Sequence, residues 1–453
     1  MPSSSDGPMI VVIGGGPAGR LAAMRMARAG REVTVVERGA MGGQCLHHGC
    51  MVVCALADVA RTIRYAGTLA DLGVLDRPPR VSYPALMEEM GKIQATITRV
   101  LDGETEESGR VTISRGEGRL VGSTPFIDGK PVEAEAVLAA TGSRPLVPQV
   151  EGRDLGGVVH AHTLRAWKDL PPRIAIIGGG VMAAEFAHIF HAFGSEVTIL
   201  ARSMFLKELD ERLRKLALRE LEGVKIEENA CLLRIEGDRR AGGVVVGGKG
   251  GERAIPTDGV FLATGLAPNS EMIEGPRKGP LGEVVVDDRM QTSVPGVYAA
   301  GDLTGPPYLT PVARMEGLVA ADNILGRERK MDYRCIPQSL TLQNEFAWCS
   351  NEDGGGQSVG TGSPSPAGPF SFWAVPKGGT GYSGIRIDPG DGRILSATLA
   401  APGASIVTSY IAFLIRTGCT VQDFDDFIEV HPTTDGAFSL ARYLDEWMRF
   451  RKK

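Results

Sequence analysis

The segment MIVVIGGGPAGRLAAMRMARAGREVTVVERG, residues 9–39, decides the fold of this chain. Its apolar start, residues 9–13, has the length of a strand, and apolar residues then recur with a helical period over 21–27. A glycine at position 30 ends that helix, and EVTVVE, residues 32–37, has the composition of a second strand. The segment therefore predicts a strand–turn–helix–strand unit, which belongs to a parallel sheet covered by helices.

The turn of this unit, GGGPAG, has the spacing of a dinucleotide-binding loop. Gly14 permits a tight turn, Gly16 lets backbone amides approach a pyrophosphate, and Gly19 lets the helix pack against the strand. The helix N-terminus adds free N–H groups, and Glu37 is placed to accept hydrogen bonds from ribose hydroxyls. An ordinary strand-to-helix turn is the alternative, but the strand context and the terminal acid favour a nucleotide site.

The same pattern returns at residues 173–200, where RIAII precedes the turn GGGVMA. This turn has Gly178, Gly180 and Ala183 at the three spaced positions. A chain of 453 residues is too long for a single core. Two such units, this far apart, predict two nucleotide-binding domains.

The second unit differs from the first where its second strand ends. The position of Glu37 is occupied by Ala201, and Arg202 follows. No carboxylate repels a 2′-phosphate there, and Arg202, with Lys207 nearby, can pair with one. We expect NADPH in preference to NADH, with a solvated surface charge as the alternative for Arg202.

The segment GGQCLHHGC, residues 42–50, carries the chemistry. Cys45 and Cys50 can form a disulfide only if the chain bends sharply, because bridged Cα atoms lie within about 7 Å of each other. Gly49 supplies flexibility beside the second cysteine. A helix follows, and a helix N-terminus lowers the pKa of a thiol. The segment therefore predicts a reactive thiol pair.

A zinc site is the main alternative, because His47, His48 and Cys54 lie close to the pair in sequence. Zinc sites usually combine closely spaced ligands with a second cluster downstream, and the sequence has none. Two inert buried thiols are a weaker alternative. The spacing favours redox chemistry, and no metal ion is expected.

Composition excludes other classes of function. The formal net charge of −5 gives no field to attract nucleic acid, and no apolar stretch reaches the roughly 18 residues of a membrane span. Seven cysteines, without a secretory signal, argue against a structural disulfide framework and for a reducing, cytoplasmic location. The cysteines outside the segment 42–54 lie singly and are expected to be buried apolar residues: Cys231, Cys335, Cys349 and Cys419.

Further motifs complete an ordered set along the chain. They are ATGSRP (140–145), ATGLAPN (263–269), VYAAGD (297–302), LTPVA (309–313) and HPT (431–433). With these motifs, the two glycine-rich turns and GGQCLHHGC, the chain from residue 9 to about 444 resembles the pyridine nucleotide–disulfide oxidoreductases. That group includes dihydrolipoamide dehydrogenase, glutathione reductase and mercuric reductase. Each motif is weak alone, and the joint match is specific.

The resemblance implies an α/β fold with two Rossmann-like dinucleotide-binding domains and a C-terminal α+β dimerisation domain. The FAD-binding domain is expected at 9–150, with its second, central part at 271–334. The NAD(P)-binding domain is expected at 151–270, and the dimerisation domain at 335–453. The last segment carries no nucleotide motif and is expected to form a homodimer.

The resemblance also implies cofactor contacts. Asp302 is expected to touch the ribityl chain of FAD, and the LTPVA segment is expected to lie near the flavin ring. The full set implied to bind FAD or the nicotinamide cofactor is Gly14, Gly16, Gly19, Glu37, Gly43, Thr141, Gly142, Asp302, Ala313, Gly178, Gly180, Ala183, Arg202 and Gly265.

The catalytic roles follow from the same resemblance. Cys50 is implied to lie beside the flavin, opposite the nicotinamide, and Cys45 to attack the substrate. His431 is implied to act as acid–base on the cysteines of the partner subunit. The family has an acid five residues after this histidine, but here that position is Gly436, with Asp435 one step earlier. Either Asp435 orients His431, or the proton chemistry differs.

A second departure concerns Glu185. The family commonly pairs the matching glutamate with a lysine four residues after the second cysteine, and here that position is Cys54. A partly buried carboxylate without its cation should have a raised pKa. Cys54 is interpreted as a small packing residue, with a third redox thiol as the alternative.

These features predict an FAD-dependent, dihydrolipoamide dehydrogenase-like oxidoreductase. Electrons are expected to pass between NAD(P)H, FAD, the Cys45–Cys50 pair and a small disulfide or dithiol substrate. Two alternatives stay open. One is chemistry like that of 2-ketopropyl coenzyme M oxidoreductase/carboxylase, and the other is a non-catalytic FAD-binding module for electron transfer.

Overall fold

The computed structural model describes residues 9–248, 250–351, 361–362, 371–378, 380–430 and 436–451. Two parallel sheets form the cores of two nucleotide-binding units, and an antiparallel sheet with helices forms the C-terminal domain. This architecture confirms the fold class expected from the sequence. Among the described residues, no helix is both long enough and apolar enough to cross a membrane.

The first parallel sheet contains the strand that opens the chain. Its described strands, in spatial order, are Val297–Ala299, Ala136–Ala139, Ile10–Ile13, Val33–Glu37 and Val111–Arg115. Helices Pro17–Arg28 and Thr310–Ile324 pack against one another and share an apolar cluster with the sheet. The chain therefore leaves this sheet after residue 139 and returns to it at residue 297.

The second parallel sheet repeats the arrangement. Its described strands, in spatial order, are Lys225–Glu228, Glu196–Ala201, Arg173–Ile177, Gly259–Leu262 and Val158–His160. Helices Val181–Ala192 and Glu211–Glu220 cover it. Three buried aromatic side chains fix the first helix to the sheet, and the Phe186 and Phe261 rings lie 4.2 Å apart between centroids, beside Phe190.

Smaller elements join the two units. The short helix Gly43–His47 leads into the long helices Cys50–Asp71 and Tyr83–Glu106. The remaining strands of this part form three small sheets: Cys231–Gly237, Ala241–Gly248 and Gly251–Pro256; Leu266–Pro268 and Ser143–Pro145; Ile273–Glu274, Gly118–Val121, Thr124–Ile127 and Lys130–Pro131. Single 3-10 turns lie at Ala161–Ala166 and Gly301–Thr304.

The C-terminal domain is built on an antiparallel sheet. Its described strands, in spatial order, are Gln338–Thr341, Glu345–Ser350, Ile394–Ala401, Tyr382–Ile387 and Thr361–Gly362. Helices Ala404–Arg416 and Gly436–Arg451 pack on it, with 3-10 turns at Phe372–Lys377 and Val421–Phe424. This domain has its own apolar cluster, as expected of an independent layer of structure.

The helices Pro17–Arg28 and Thr310–Ile324 approach closely because one of them carries a glycine at the crossing. A Cβ atom on Gly317 would lie 2.3 Å from the carbonyl oxygen of Ala18. The obstacle is backbone, so a rotamer change cannot relieve it. The second half of the first domain is therefore held to the first half through a backbone contact.

We predict that Gly317→Ala lowers the free energy of unfolding by about 1–3 kcal/mol, the usual cost of overpacking. The matched control is Gly103→Ala, also in a helix, where an added Cβ meets no atom within 4 Å. The control should be neutral or slightly stabilising, since alanine favours helix over glycine by up to about 1 kcal/mol. Denaturant unfolding measures both variants, and equal effects would contradict the packing argument.

Candidate active site

The first glycine-rich turn lies at the carboxyl edge of the first sheet and lines a cavity of 530 Å³. Gly14 has a φ of 112°, and a Cβ atom there would lie 2.2 Å from the carbonyl oxygen of Ala140. A Cβ on Gly19 would lie 2.0 Å from the carbonyl oxygen of Gly14. Gly16, in contrast, faces the cavity, with Gly43 as its neighbour across the chain. Two glycines thus permit the turn, and the third leaves space for a ligand.

Glu37 lies at the same edge, where its strand ends. Its carboxylate accepts hydrogen bonds from the amides of Gly15 and Gly39, both at 2.7 Å. Glu37 and Arg38 also line the cavity. The carboxylate is therefore fixed beside the turn, where a ribose hydroxyl can reach it.

Cys45 and Cys50 meet at the other end of this cavity. Cys45 lies in the short helix Gly43–His47, and Cys50 is the first residue of the helix Cys50–Asp71. Gly42 and Gly43, with φ of 102° and 57°, turn the chain just before Cys45. Gly49 lies between the two cysteines, and its φ of −114° and ψ of −120° fall outside the helical and extended regions, as expected of a flexible residue at this bend. A Cβ atom on Gly49 would also lie 3.2 Å from the carbonyl oxygen of Gln44.

The two thiols are electrostatically unequal. The hydrogen bond donated by Cys45 lowers the pKa of Cys50 to about 6; a hydrogen bond with Thr310 Oγ1, at 3.4 Å, acts in the same direction, and burial opposes both. The same thiol–thiol hydrogen bond, together with burial, raises the pKa of Cys45. Cys50 is therefore the thiolate at neutral pH, and Cys45 keeps its proton.

Glu185 lies on the helix Val181–Ala192 and faces this pair from the side of the second domain. Burial raises the pKa of Glu185 to about 7, the negative charge of Cys50 adds to the rise, and a hydrogen bond from the amide of Thr341 at 3.0 Å opposes it. This is the direction expected for a carboxylate that has lost its lysine. Cys54 lies nearby, and burial, followed by the charges of Cys50 and Glu185, raises the pKa of its thiol.

Asp302 and its partners close the cavity. The Ser143 hydroxyl donates to Asp302 Oδ2 at 2.6 Å, and burial raises the pKa of that carboxyl. Gln44 Oε1 lies 3.0 Å from His162 Nε2, and the His162 ring stacks on His48 with centroids 4.4 Å apart. Burial lowers the pKa of His162 to about 4, so this imidazole is neutral at physiological pH.

The second glycine-rich turn lines a separate cavity of 500 Å³. A Cβ atom on Gly178 would lie 2.2 Å from the carbonyl oxygen of Ala263, which repeats the contact of Gly14 with Ala140. Gly180, Arg202 and Gly265 also line this cavity, and Lys207 lies beside them. The residues that the sequence assigned to the nicotinamide site therefore line one cavity.

Most of the residues expected to bind cofactors lie in the two cavities. The first is lined by Gly14, Gly16, Glu37, Gly43, Thr141, Gly142, Asp302 and Ala313, and the second by Gly178, Gly180, Arg202 and Gly265. Gly19 and Ala183 lie behind the turns, where they pack helix against strand. His431 and Asp435 lie outside the described residues.

Among the residues of the first cavity that sequence reasoning missed are four whose contacts are described above: Thr310, Ser143, Gln44 and His162. Ser143 and Thr310 were within quoted motifs, ATGSRP and LTPVA, but the motifs did not indicate which side chain each would contact. Within the described part of the chain, no three His, Cys, Asp or Glu side chains are grouped so that they could hold a metal ion.

Comparison with known proteins agrees with this geometry. The model of the family described as pyridine nucleotide-disulphide oxidoreductase matches residues 8–317, and that of the dimerisation domain of the same family matches residues 372–442. The chain belongs to this family. Its members are FAD-dependent enzymes that act on sulfur groups with a pyridine nucleotide, and this chain is one of them.

Individual relatives span the whole chain. A dihydrolipoyl dehydrogenase from Chlamydia muridarum is 30% identical over 450 residues, covering 93% of each protein. The solved structure of LpdA from Mycobacterium tuberculosis has a TM-score of 0.83 and 25% identity, covering 97% of this chain and 100% of that one. The HOCl-induced flavoprotein disulfide reductase RclA from Escherichia coli shares the fold, with a TM-score of 0.83, 23% identity, and coverage of 96% and 99%.

The first cavity fits the FAD of this family on its own geometry. Gly16 and Gly43 have no side chains that would cover the backbone at the start of the helix Pro17–Arg28. A pyrophosphate can therefore accept hydrogen bonds from the backbone N–H groups there. Glu37 and the buried carboxyl of Asp302 provide hydrogen-bond acceptors at two points along the cavity. Cys50 lines the same space, so a bound flavin would share a cavity with the thiolate.

We predict that Thr310→Val raises the pKa of Cys50 from about 6 by about one unit, because a hydrogen bond to a charged group contributes about 1.5 kcal/mol. Carbamidomethylation of Cys50 in the reduced protein, followed by peptide mass spectrometry across pH, measures the midpoint. Thr310→Ser keeps the hydroxyl and should keep the midpoint of the parent protein. An unchanged midpoint in the valine variant would exclude the hydroxyl as a cause.

Proposed function

We propose that this enzyme uses NADPH, or less readily NADH, to reduce a small disulfide through FAD and the Cys45–Cys50 pair. The observation that carries the proposal is the unequal pair of thiols, one thiolate and one thiol, in the cavity that holds the first glycine-rich turn. Relatives of this chain include dihydrolipoyl dehydrogenases, so the reverse reaction on a dithiol belongs to the same proposal.

The two thiols have different roles in the reaction. Cys45, once deprotonated, attacks one sulfur of the substrate disulfide; the S–S bond breaks and one substrate thiolate leaves. Cys50, with its pKa of about 6, then attacks the sulfur of Cys45 and releases the second thiolate, so that the Cys45–Cys50 disulfide forms. The substrate has gained two electrons, and two protons complete the product thiols.

Bound FAD supplies the two-electron chemistry that connects a nicotinamide hydride with this disulfide. The residues of this chain that would hold it are the amides of the first turn, Glu37, and Asp302 with its partner Ser143. Thr310 stabilises the Cys50 thiolate at the end of the cavity where the reacting atoms meet.

Cys45 needs a base, because its pKa is raised. Two described histidines of the cavity, His48 and His162, are poor candidates, since burial lowers the pKa of both. The sequence assigns this role to His431, delivered by the partner of a homodimer, and the family match over residues 372–442 supports a dimerisation domain there. The proton path through His431 and Asp435 is part of the proposal.

We predict that NADPH, added without oxygen, produces a long-wavelength thiolate-to-flavin charge-transfer band in the parent protein. Cys50→Ser should lack this band because it removes the thiolate, and Cys45→Ser should keep it. Both variants should lose turnover of lipoamide, glutathione, coenzyme A and coenzyme M disulfides by at least about a thousandfold. The same band in Cys50→Ser and the parent would show that the thiolate has been assigned to the wrong cysteine.

We predict that Arg202→Ala raises the dissociation constant for NADPH about tenfold, equivalent to about 1.4 kcal/mol, and leaves that for NADH unchanged. The reason is that Arg202 lines the second cavity, where Ala201 occupies the strand-end position of Glu37; the acid that lines this cavity, Glu208, instead accepts a hydrogen bond from the amide of Val181 at 3.1 Å. Lys168→Ala, which removes an exposed cation from the loop before the strand Arg173–Ile177, is the control. Equal losses for both nucleotides would exclude recognition of the 2′-phosphate by Arg202.

A further inference from the structure

The C-terminal domain contains two more cysteines whose side chains meet, Cys335 and Cys349. The expectation of burial is confirmed for these two cysteines, but it was wrong for Cys231, which is exposed, and Cys419 is only partly buried. Cys335 precedes the strand Gln338–Thr341, and Cys349 lies in the strand Glu345–Ser350. Both residues are buried, with 4% and 2% of their surface exposed, and both belong to the same apolar cluster. Their thiols are hydrogen-bonded to each other.

The sheet fixes the position of Cys349. Its strand is paired on both sides, and Cys349 lies opposite Ala397 of the strand Ile394–Ala401. The Cys349 sulfur also lies 4.0 Å from the carbonyl oxygen of Thr408, in the helix that covers the sheet. The thiol therefore cannot move away without disturbing the core of the domain.

The position of Cys335 is fixed by its backbone and by charged neighbours. Its φ of 51° lies in the left-handed region, which a non-glycine residue adopts only when its surroundings hold it there. The segment before it is anchored by Asp332, which accepts hydrogen bonds from Arg334 at 3.0 Å and from Arg416 at 3.2 Å. Two independent parts of the domain thus bring the thiols together.

We propose that Cys335 and Cys349 form a second disulfide-forming pair, separate from Cys45 and Cys50, that small peroxides close. The two thiols are unequal: the hydrogen bond from Cys349, then the charge of Arg416, lowers the pKa of Cys335, whereas the pKa of Cys349 is raised. Cys335 is therefore the attacking sulfur, and Cys349 resolves the intermediate.

The chemistry balances in two steps. The Cys335 thiolate attacks one oxygen of hydrogen peroxide; the O–O bond breaks, hydroxide leaves and is protonated to water, and Cys335 becomes a sulfenic acid. The Cys349 sulfur then attacks the sulfur of Cys335; the S–O bond breaks, the disulfide forms, and a second water leaves with the Cys349 proton. Two thiols lose two electrons, and the peroxide gains them.

A disulfide at this position would join the segment that leaves the helix Thr310–Ile324 to the second strand of the C-terminal sheet. Cross-linking restricts the unfolded chain and so stabilises the domain. Burial keeps bulky thiols away from the sulfur atoms, whereas Cys50 is exposed. The pair should therefore close with small oxidants and reopen more slowly than Cys45–Cys50.

The decisive test uses the parent holoenzyme. The protein is reduced, freed of reductant and treated with hydrogen peroxide; its remaining thiols are then labelled with N-ethylmaleimide in denaturant and its peptides analysed by mass spectrometry. We expect a cross-linked Cys335–Cys349 peptide, with Cys231 and Cys419 still labelled as internal controls. The proposal would be overturned if Cys335 and Cys349 were still fully labelled by N-ethylmaleimide under conditions in which Cys45 and Cys50 are already oxidised and no longer labelled.

A second measurement tests the consequence for stability. The thermal midpoint of the oxidised parent should exceed that of the reduced parent, and Cys349→Ala should lose this difference while its Cys45–Cys50 pair still titrates with NADPH. Cys335→Ala is the alternative variant if the first does not fold. An equal oxidised-minus-reduced difference in the parent and in either variant would mean that no second disulfide stabilises the domain.

Discussion

Both nucleotide sites depend on one constraint, the contact between a glycine and a carbonyl oxygen of the neighbouring strand. Gly14 meets Ala140 in the first sheet and Gly178 meets Ala263 in the second, each at a distance where a Cβ atom would lie 2.2 Å from oxygen. The obstacle is backbone in both cases, and both glycines have positive φ. The strand end, its neighbour and the helix N-terminus are thereby brought to one edge of the sheet, where ligands of such sheets bind.

This constraint explains why the sequence predicts so much of the fold. The two contacted alanines, Ala140 and Ala263, are the first residues of the ATG triplets. In the first domain, the glycine-rich turn and the ATGSRP motif therefore contain the two partners of one contact, although they lie more than a hundred positions apart. The third position of each turn follows the same logic. A Cβ on Gly19 would collide with the carbonyl oxygen of Gly14, whereas the second turn accommodates the side chain of Ala183, which is fully buried. Where a side chain would collide with backbone, only glycine or alanine is tolerated. Such a position can be recognised in the sequence even when the contacting residue is unknown.

The contacts that the sequence did not predict involve positions where several residue types could fit. Thr310 lies 260 positions from Cys50, and any small hydroxyl residue could make its hydrogen bond. Cys335 and Cys349 have no motif spacing, since their meeting depends on strand register and on the turn before the sheet. The left-handed backbone at Gly42 and Gly43, just before Cys45, was likewise not predicted. Side-chain packing and local φ are set by tertiary structure, which a pattern of residue types does not encode.

The charge balance around Cys50 follows from the replacement of a lysine by Cys54. A lysine would hold Glu185 ionised beside the thiolate, and Cys54 cannot, because a thiol never carries a positive charge. Glu185, with its pKa near 7, is therefore partly protonated at physiological pH. A negative charge on Glu185 disfavours one on Cys50, and the reverse. The state in which only one of the two groups is ionised is therefore favoured over the state in which both are. The hydrogen bond from Cys45 lowers the pKa of Cys50, whereas burial raises that of Glu185, so both effects favour the charge on Cys50 and a proton on Glu185 in a site without a compensating lysine.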